Sequence, residues 1–157
     1  MSKPILYSFH GIGTGSLCGT PFTNSPFVIL AYTDASNPTN PSNEYPQGAL
    51  QVNCGQQRVV VSVLGLPPAV IQFGLSVTRL SDPAHGQFWI AIGLGTDQLV
   101  KVSNRALEGY GLTTSTPIIQ SAPVSGPSVK PYPVSETQSF SLNSLSKIAF
   151  QAVVPPA

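Results

Sequence analysis

Within Val70-Ile71-Gln72-Phe73-Gly74-Leu75-Ser76-Val77-Thr78-Arg79, apolar side chains alternate with polar ones or glycine from Ile71 to Thr78. Ile71, Phe73, Leu75 and Val77 fall on one side, with Gln72, Gly74, Ser76 and Thr78 on the other. That period of two predicts a strand with one face in a core and one in water. Just before it, Gly65-Leu66-Pro67-Pro68 reads as a sharp turn, because neither proline can join a central ladder. On the far side of the turn, the segment Arg58 to Leu64 is, after Arg58 itself, continuously apolar except for Ser62. It reads as a strand buried on both faces or central in a sheet, so the two segments form a hairpin.

The same pattern recurs outward from this hairpin. Ile5, Tyr7 and Phe9 make a second ladder. Phe27–Thr33, Ala49–Asn53, Gln87–Ile92, Leu99–Ser103, Phe140–Asn143 and Ile148–Val154 bring the expected total to about nine strands. Helical periodicity is confined to a candidate turn or two between Asp97 and Tyr110. Short β-branched runs between Gly, Pro, Asn and Ser clusters are an all-β signature. The expectation is one domain over residues 1–157, an antiparallel β-sandwich of about eight or nine strands with long Pro/Asn-rich loops. The first loop, Asp34–Gly48, holds three Pro and three Asn; the second, Ser115–Ser135, holds five Pro. In the second, Val124, Val129, Tyr132 and Val134 are placed to cover a sheet edge.

Composition narrows the function. Of 157 residues only 8% are charged, and seven Lys/Arg against six Asp/Glu leave a net charge of +1. A nucleic-acid partner requires a dense basic face, which this chain lacks. The hydrophobic share of 41% and a mean hydropathy of +0.16 are too apolar for a solvated coil. No apolar run has the length of a transmembrane helix, and Ile5-Leu6-Tyr7 is too short for a signal-peptide core. The few charges, such as Asp34, Arg58, Arg79 and Asp82, are expected at turns and strand ends. Hydroxyls and amides are expected at the outward strand positions.

The opening Tyr7-Ser8-Phe9-His10-Gly11-Ile12-Gly13-Thr14-Gly15-Ser16-Leu17-Cys18-Gly19-Thr20-Pro21-Phe22-Thr23-Asn24 resembles that of bacterial exported proteins of the PEP-CTERM sorting class. Phe27 to Asp34 is similar to the strand and Asp-containing turn that follow there. Val61–Leu66, Leu107–Ser115 and Ser144–Ala152 are similar to later segments, in the same order. The resemblance implies a β-sandwich, an extracellular or cell-surface location and a non-catalytic role; it transfers no functional residues. Two features of that class are not expected from these residues: Met1-Ser2-Lys3-Pro4 opens no signal-peptide pattern, and Val154-Pro155-Pro156-Ala157 carries no sorting-tail motif.

Motifs for chemistry are sparse. Gly11-Ile12-Gly13-Thr14-Gly15-Ser16 fits neither GxGxxG nor GxxxxGK[ST], and no helix pattern follows it. Its alternating glycines read instead as a strand on which another backbone packs closely. His10 alternates with Tyr7 and Phe9 and so points away from their face. His85 lies in the turn Ser81–Gly86, where Asp82 is expected to cap the backbone. No cofactor is implied. Asp34, Asn37, Asn40, Asn43 and Glu44 form the one oxygen-rich loop, open to two readings: a weak Ca²⁺ site or a set of Asx turns. Cys18 and Cys54 are open to a disulfide or to two separate buried thiols.

Aromatics are the candidate ligand-binding residues. Trp89 alternates with Phe88 and Ile90, so it either faces outward for stacking or completes the core. Tyr32, Tyr45 and Tyr132, in or near the long loops, could extend a binding surface. The function expected is a non-enzymatic surface or structural module acting through loop contacts. Its partner would be a glycan, matrix, another protein or another copy of itself. The alternative is a toxin-type or lectin-like domain that engages glycans or membranes on a target cell.

Overall fold

A computed structural model describes residues 3–41, 48–94, 97–121, 124, 126, 127 and 130–156. The fold is all-β. Eleven strands run in chain order: β1 Pro4–Leu17, β2 Thr20–Asp34, β3 Ala49–Asn53, β4 Val59–Val63, β5 Ala69–Ile71, β6 Ser76–Asp82, β7 Gln87–Leu94, β8 Asp97–Ser103, β9 Ile119–Gln120, β10 Tyr132–Pro133 and β11 Ser139–Val153. They form two antiparallel sheets. The larger has the order β10-β11-β1-β2-β4-β5, with β9 also on β11; the smaller has the order β3-β6-β7-β8. Inward side chains of both sheets join one buried cluster, including Tyr7, Phe9, Ile29, Val61 and Phe150 from the larger and Val52, Val77, Ile92 and Val102 from the smaller.

The count of eleven strands against the expected nine is the net of two opposite effects. Phe140–Asn143 and Ile148–Val154 are not separate strands but parts of the single β11, whose polar middle Ser144–Lys147 stays paired to β1. Short strands β5, β9 and β10 are added where proline-rich segments touch a sheet for only two or three residues. One expected helical turn exists, the 3₁₀ turn Arg105–Leu107, which Asn104 caps by accepting the Ala106 N–H.

The run Val70–Arg79 is not one strand. It splits at Gln72–Leu75, leaving β5 in the larger sheet and β6 in the smaller. Ile71, Leu75 and Val77 are buried as the alternation predicts, whereas Phe73 swings out and is 44% exposed. Both sheets face one core, so a period of two continues through a corner between them and cannot reveal it. The corner is held by Cys54 N–H donating to the Leu75 carbonyl and Gln72 N–H donating to the Pro133 carbonyl. The expected β4–β5 hairpin is present, closed by Leu66 N–H donating to Val63 with Gly65 at φ +84°.

β1 sits at the centre of the larger sheet, and its glycines have a steric reason. A side chain at Gly11 would lie 2.0 Å from the Lys147 carbonyl oxygen, and one at Gly15 would lie 1.9 Å from that of Ser141. The β1–β11 register slips at Ile12/Gly13 and again at Thr14/Gly15, so β11 carries two extra residues over this stretch. Bulges crowd the β11 backbone onto β1, and only hydrogen fits beneath it.

The Ser115–Ser135 segment does cover a sheet edge. Thr116 N–H and Ser121 N–H donate to the Ala152 and Ile148 carbonyls of β11, and Asn104 Nδ2 donates to Gln120. Val124 forms an isolated bridge to Val102 of β8. Val129 lies outside the described residues.

Gly15→Ala is expected to destabilise the fold by at least about 2 kcal/mol in urea unfolding, because the methyl would meet backbone that cannot yield. Gly126→Ala, with open space around it, should leave the midpoint unchanged.

Candidate functional site

Tyr32 and Asp34 at the end of β2, together with Cys54 after β3, line one hollow of about 350 Å³ with Pro4, Asn53 and Arg58. The Tyr32 ring is 49% exposed. Asp34 is already committed: its Oδ1 accepts the backbone N–H groups of Lys3 and Ser36, both at 2.9 Å. These bonds hold its carboxyl below the usual range, and they make the loop entry an Asx turn. Of the other oxygen ligands proposed for a cation, Asn37 and Asn40 follow in the described loop, whereas Asn43 and Glu44 lie outside the described residues, as does Tyr45. Among the described residues no three of His, Cys, Asp and Glu gather into a metal-holding group.

Cys18 and Cys54 are free thiols, so of the two readings the disulfide is absent. Cys18 sits at the turn after β1, where its N–H donates to Ser139, while Cys54 shares its hollow with Pro4 at the other end of β1. A strand of this length separates them far beyond the roughly 7 Å that a disulfide spans. Burial pushes the Cys54 thiol up to about 12.

Tyr132 is a structural peg and not part of a binding rim. It is buried, and its hydroxyl donates to the Asp97 carbonyl at 2.9 Å and to the Asp97 carboxylate at 3.0 Å. It thereby ties the β10 end of the larger sheet to the first residue of β8. Trp89 lies on the outer side of the smaller sheet, half-buried, with the Lys101 ammonium 5.7 Å from its ring centroid. Directly across from it on β6 is buried Leu80, so the indole acts in part as a cover.

The histidines stay apart. His85 Nδ1 pairs with the Asp82 carboxylate at 2.8 Å on an exposed 3₁₀ turn, so that carboxylate binds the ring and makes no side-chain cap. His10 faces away from the core, as its alternation with Phe9 requires, and is half-buried. Arg79 departs from expectation: it lies within β6, is buried, and donates from Nη1 to the Gly48 carbonyl at 2.8 Å. Its neighbours Leu50 and Ile90 and its burial lower its basicity.

What sequence reasoning missed is the outer face of the larger sheet. The register sets Val153, Leu6 and Tyr32 in one row across β11, β1 and β2. Gln151, Ser8, Leu30, Val60 and Val70 make the next row, and Ala149, His10, Val28 and Ser62 the third. Lys147, Ile12 and Pro26 make a fourth, and Leu64 N–H donates to Pro26 at its end. The outward positions are therefore mostly aliphatic, not the hydroxyls and amides expected. Leu64 is 74% exposed, and Val70 and Val153 are each more than a third exposed. A signal was present in Val59-Val60-Val61-Ser62-Val63, whose continuous apolar character marks an apolar outer face as well as an inner one. No protein-family model, curated protein or solved structure matches this chain.

A thiol-reactive dye should find two free thiols in the unfolded chain and label Cys18 well before Cys54 in the folded one. Finding no free thiol after unfolding without reductant would contradict the assignment.

Proposed function

We propose that this chain is a non-enzymatic contact module of the bacterial exported type, acting at or outside the cell surface. Its working surface is the outer face of the larger sheet, and the loops serve mainly to hold that sheet. The observation that carries this reading is the four-row aliphatic face just described. Apolar surface that is contiguous and left in water marks a contact site more often than chance exposure. Charge is confined to its ends, with Lys147 and His10 at one and Asp34 and Arg58 at the other. Two such faces do not repel, so the partner proposed is a protein face of the same kind, with a second copy of this chain as its simplest form. The resemblance of the opening segment to exported proteins supports the setting. No helix among the described residues is long and apolar enough to cross a membrane.

One observation favours a second reading, contact with sugars. The exposed Tyr32 ring stands beside Asn53 and Arg58 in a single hollow, which combines a stacking face with amide and guanidinium donors. Under that reading a glycan array gives signals that Tyr32→Ala removes and Val70→Asp leaves intact.

Under the preferred reading, sedimentation equilibrium shows reversible self-association that changes little with added salt, since few charges take part. Val70→Asp and Leu64→Asp should each shift the association at least tenfold toward monomer without lowering the unfolding midpoint. Wild-type protein that remains monomeric at the highest concentration reached would overturn the preferred reading.

A further inference from the structure

Within the same outer face lies a trough with one basic end. A hollow of about 580 Å³ is lined by His10, Ile12, Ile118, Lys147 and Ala149, among others. A second of about 320 Å³, lined by Val28, Ser62 and Leu64, adjoins it through the shared residues Pro26 and Phe27. Following Lys147–Ile12–Pro26–Leu64 crosses three strand spacings, roughly 14 Å. The volume is that of a small-ligand site. The walls are mainly aliphatic, and among the described residues no carboxylate lines either hollow.

Lys147 and Ala149 are cross-strand partners of Ile12 and His10, so the ammonium and the imidazole lie on diagonal neighbours at one end of the trough. Ser146 Oγ is occupied, donating to the Ile12 carbonyl, and Ser121 Oγ accepts the Ser103 N–H; the cationic groups offered to an incoming headgroup are those of Lys147 and His10, with Gln120 also lining the hollow. At the opposite end Leu64 closes the path beside Val28 and Val63, with Ser62 the polar side chain there.

From this arrangement we infer that the trough binds a single-chain amphiphile bearing a carboxylate, a medium-length fatty acid. The carboxylate sits against Lys147 and His10, and the acyl chain lies over Ile12, Pro26 and Val28 toward Leu64. Charge complementarity selects the anionic headgroup, and the roughly 14 Å of aliphatic floor selects one extended chain. This inference shares its location with the contact reading and does not depend on the partner proposed there.

Isothermal titration with decanoate, decanol and decyltrimethylammonium below their aggregation concentrations tests it. Decanoate is expected to bind saturably at one site per chain, about tenfold more tightly than decanol, with the cation not bound. Lys147→Glu, an exposed substitution, should remove the preference for decanoate over decanol, while Leu64→Ser weakens both. Val70→Asp, on the same face but outside the trough, disrupts the protein contact and leaves decanoate binding unchanged, so the two readings fail separately. Absence of saturable decanoate binding to folded wild-type protein would overturn the inference. So would decanoate binding that Lys147→Glu leaves unaltered in a variant with the wild-type circular dichroism spectrum.

Discussion

The pairing of β1 with β11 is the constraint on which the rest of this molecule depends. It joins the first strand to the last along twelve register pairs from Leu6↔Val153 to Leu17↔Phe140. Such a long-range ladder stands against a large loop-closure entropy, so it must be specified strongly. Tyr7, Phe9 and Phe150 supply that specificity on the inner side, with the Phe9 and Phe150 ring centroids 5.1 Å apart. The glycines supply it at the other end, where any side chain would push β11 away. Tyr7 also donates its hydroxyl to the Leu112 carbonyl, which fastens the segment after the 3₁₀ turn to β1. Burial raises the Tyr7 phenol well above its ordinary value, so the group stays protonated and the bond persists at any physiological pH.

Once β1 and β11 are fixed, the outer face proposed for contact follows. β2 pairs along nearly the whole of β1, and β4 and β5 extend the sheet by the hairpin at Gly65. The inner positions of these strands are consumed by the core. Their outer positions carry Leu6, Val28, Leu30 and Val60, each half-buried, and the exposed Val70. A sheet with one wet face ordinarily places polar residues there. The departure from that rule is what separates this face from ordinary surface. It also explains why a chain with so few charged residues can present a patch in which hydrophobic contact outweighs electrostatics.

Much of the fold is legible in the sequence, and the reasons are local. Ile5, Tyr7 and Phe9 alternate, and they are buried. The prolines at 67 and 68 force the hairpin, and the glycines of β1 foretell a close backbone. What is not legible arises from relations between distant segments. The corner at Gln72–Leu75 is hidden because alternation persists when a strand leaves one sheet for the other. Tyr132 looks like a loop aromatic until β10 is seen against Asp97, and the pairing of Cys18 with Cys54 stays open until β1 is seen to separate them. Of the candidate site residues, Tyr32, Asp34 and Cys54 do meet in one hollow, brought there by the ends of β1, β2 and β3. The outer face itself could not be read strand by strand, because only the register shows that Leu6, Tyr32 and Val153 are neighbours.

The central claim is that contact is made through the outer face of the larger sheet. It is tested most directly by following backbone amide chemical shifts of the isotopically labelled protein as its concentration is raised. Shifts are expected to move at Leu6, Val28, Leu30, Tyr32, Val60, Val70 and Val153 while those of the smaller sheet stay fixed. Movement confined to the loop at residues 35–41 and to Trp89 and Lys101, with the outer face unchanged, would contradict it.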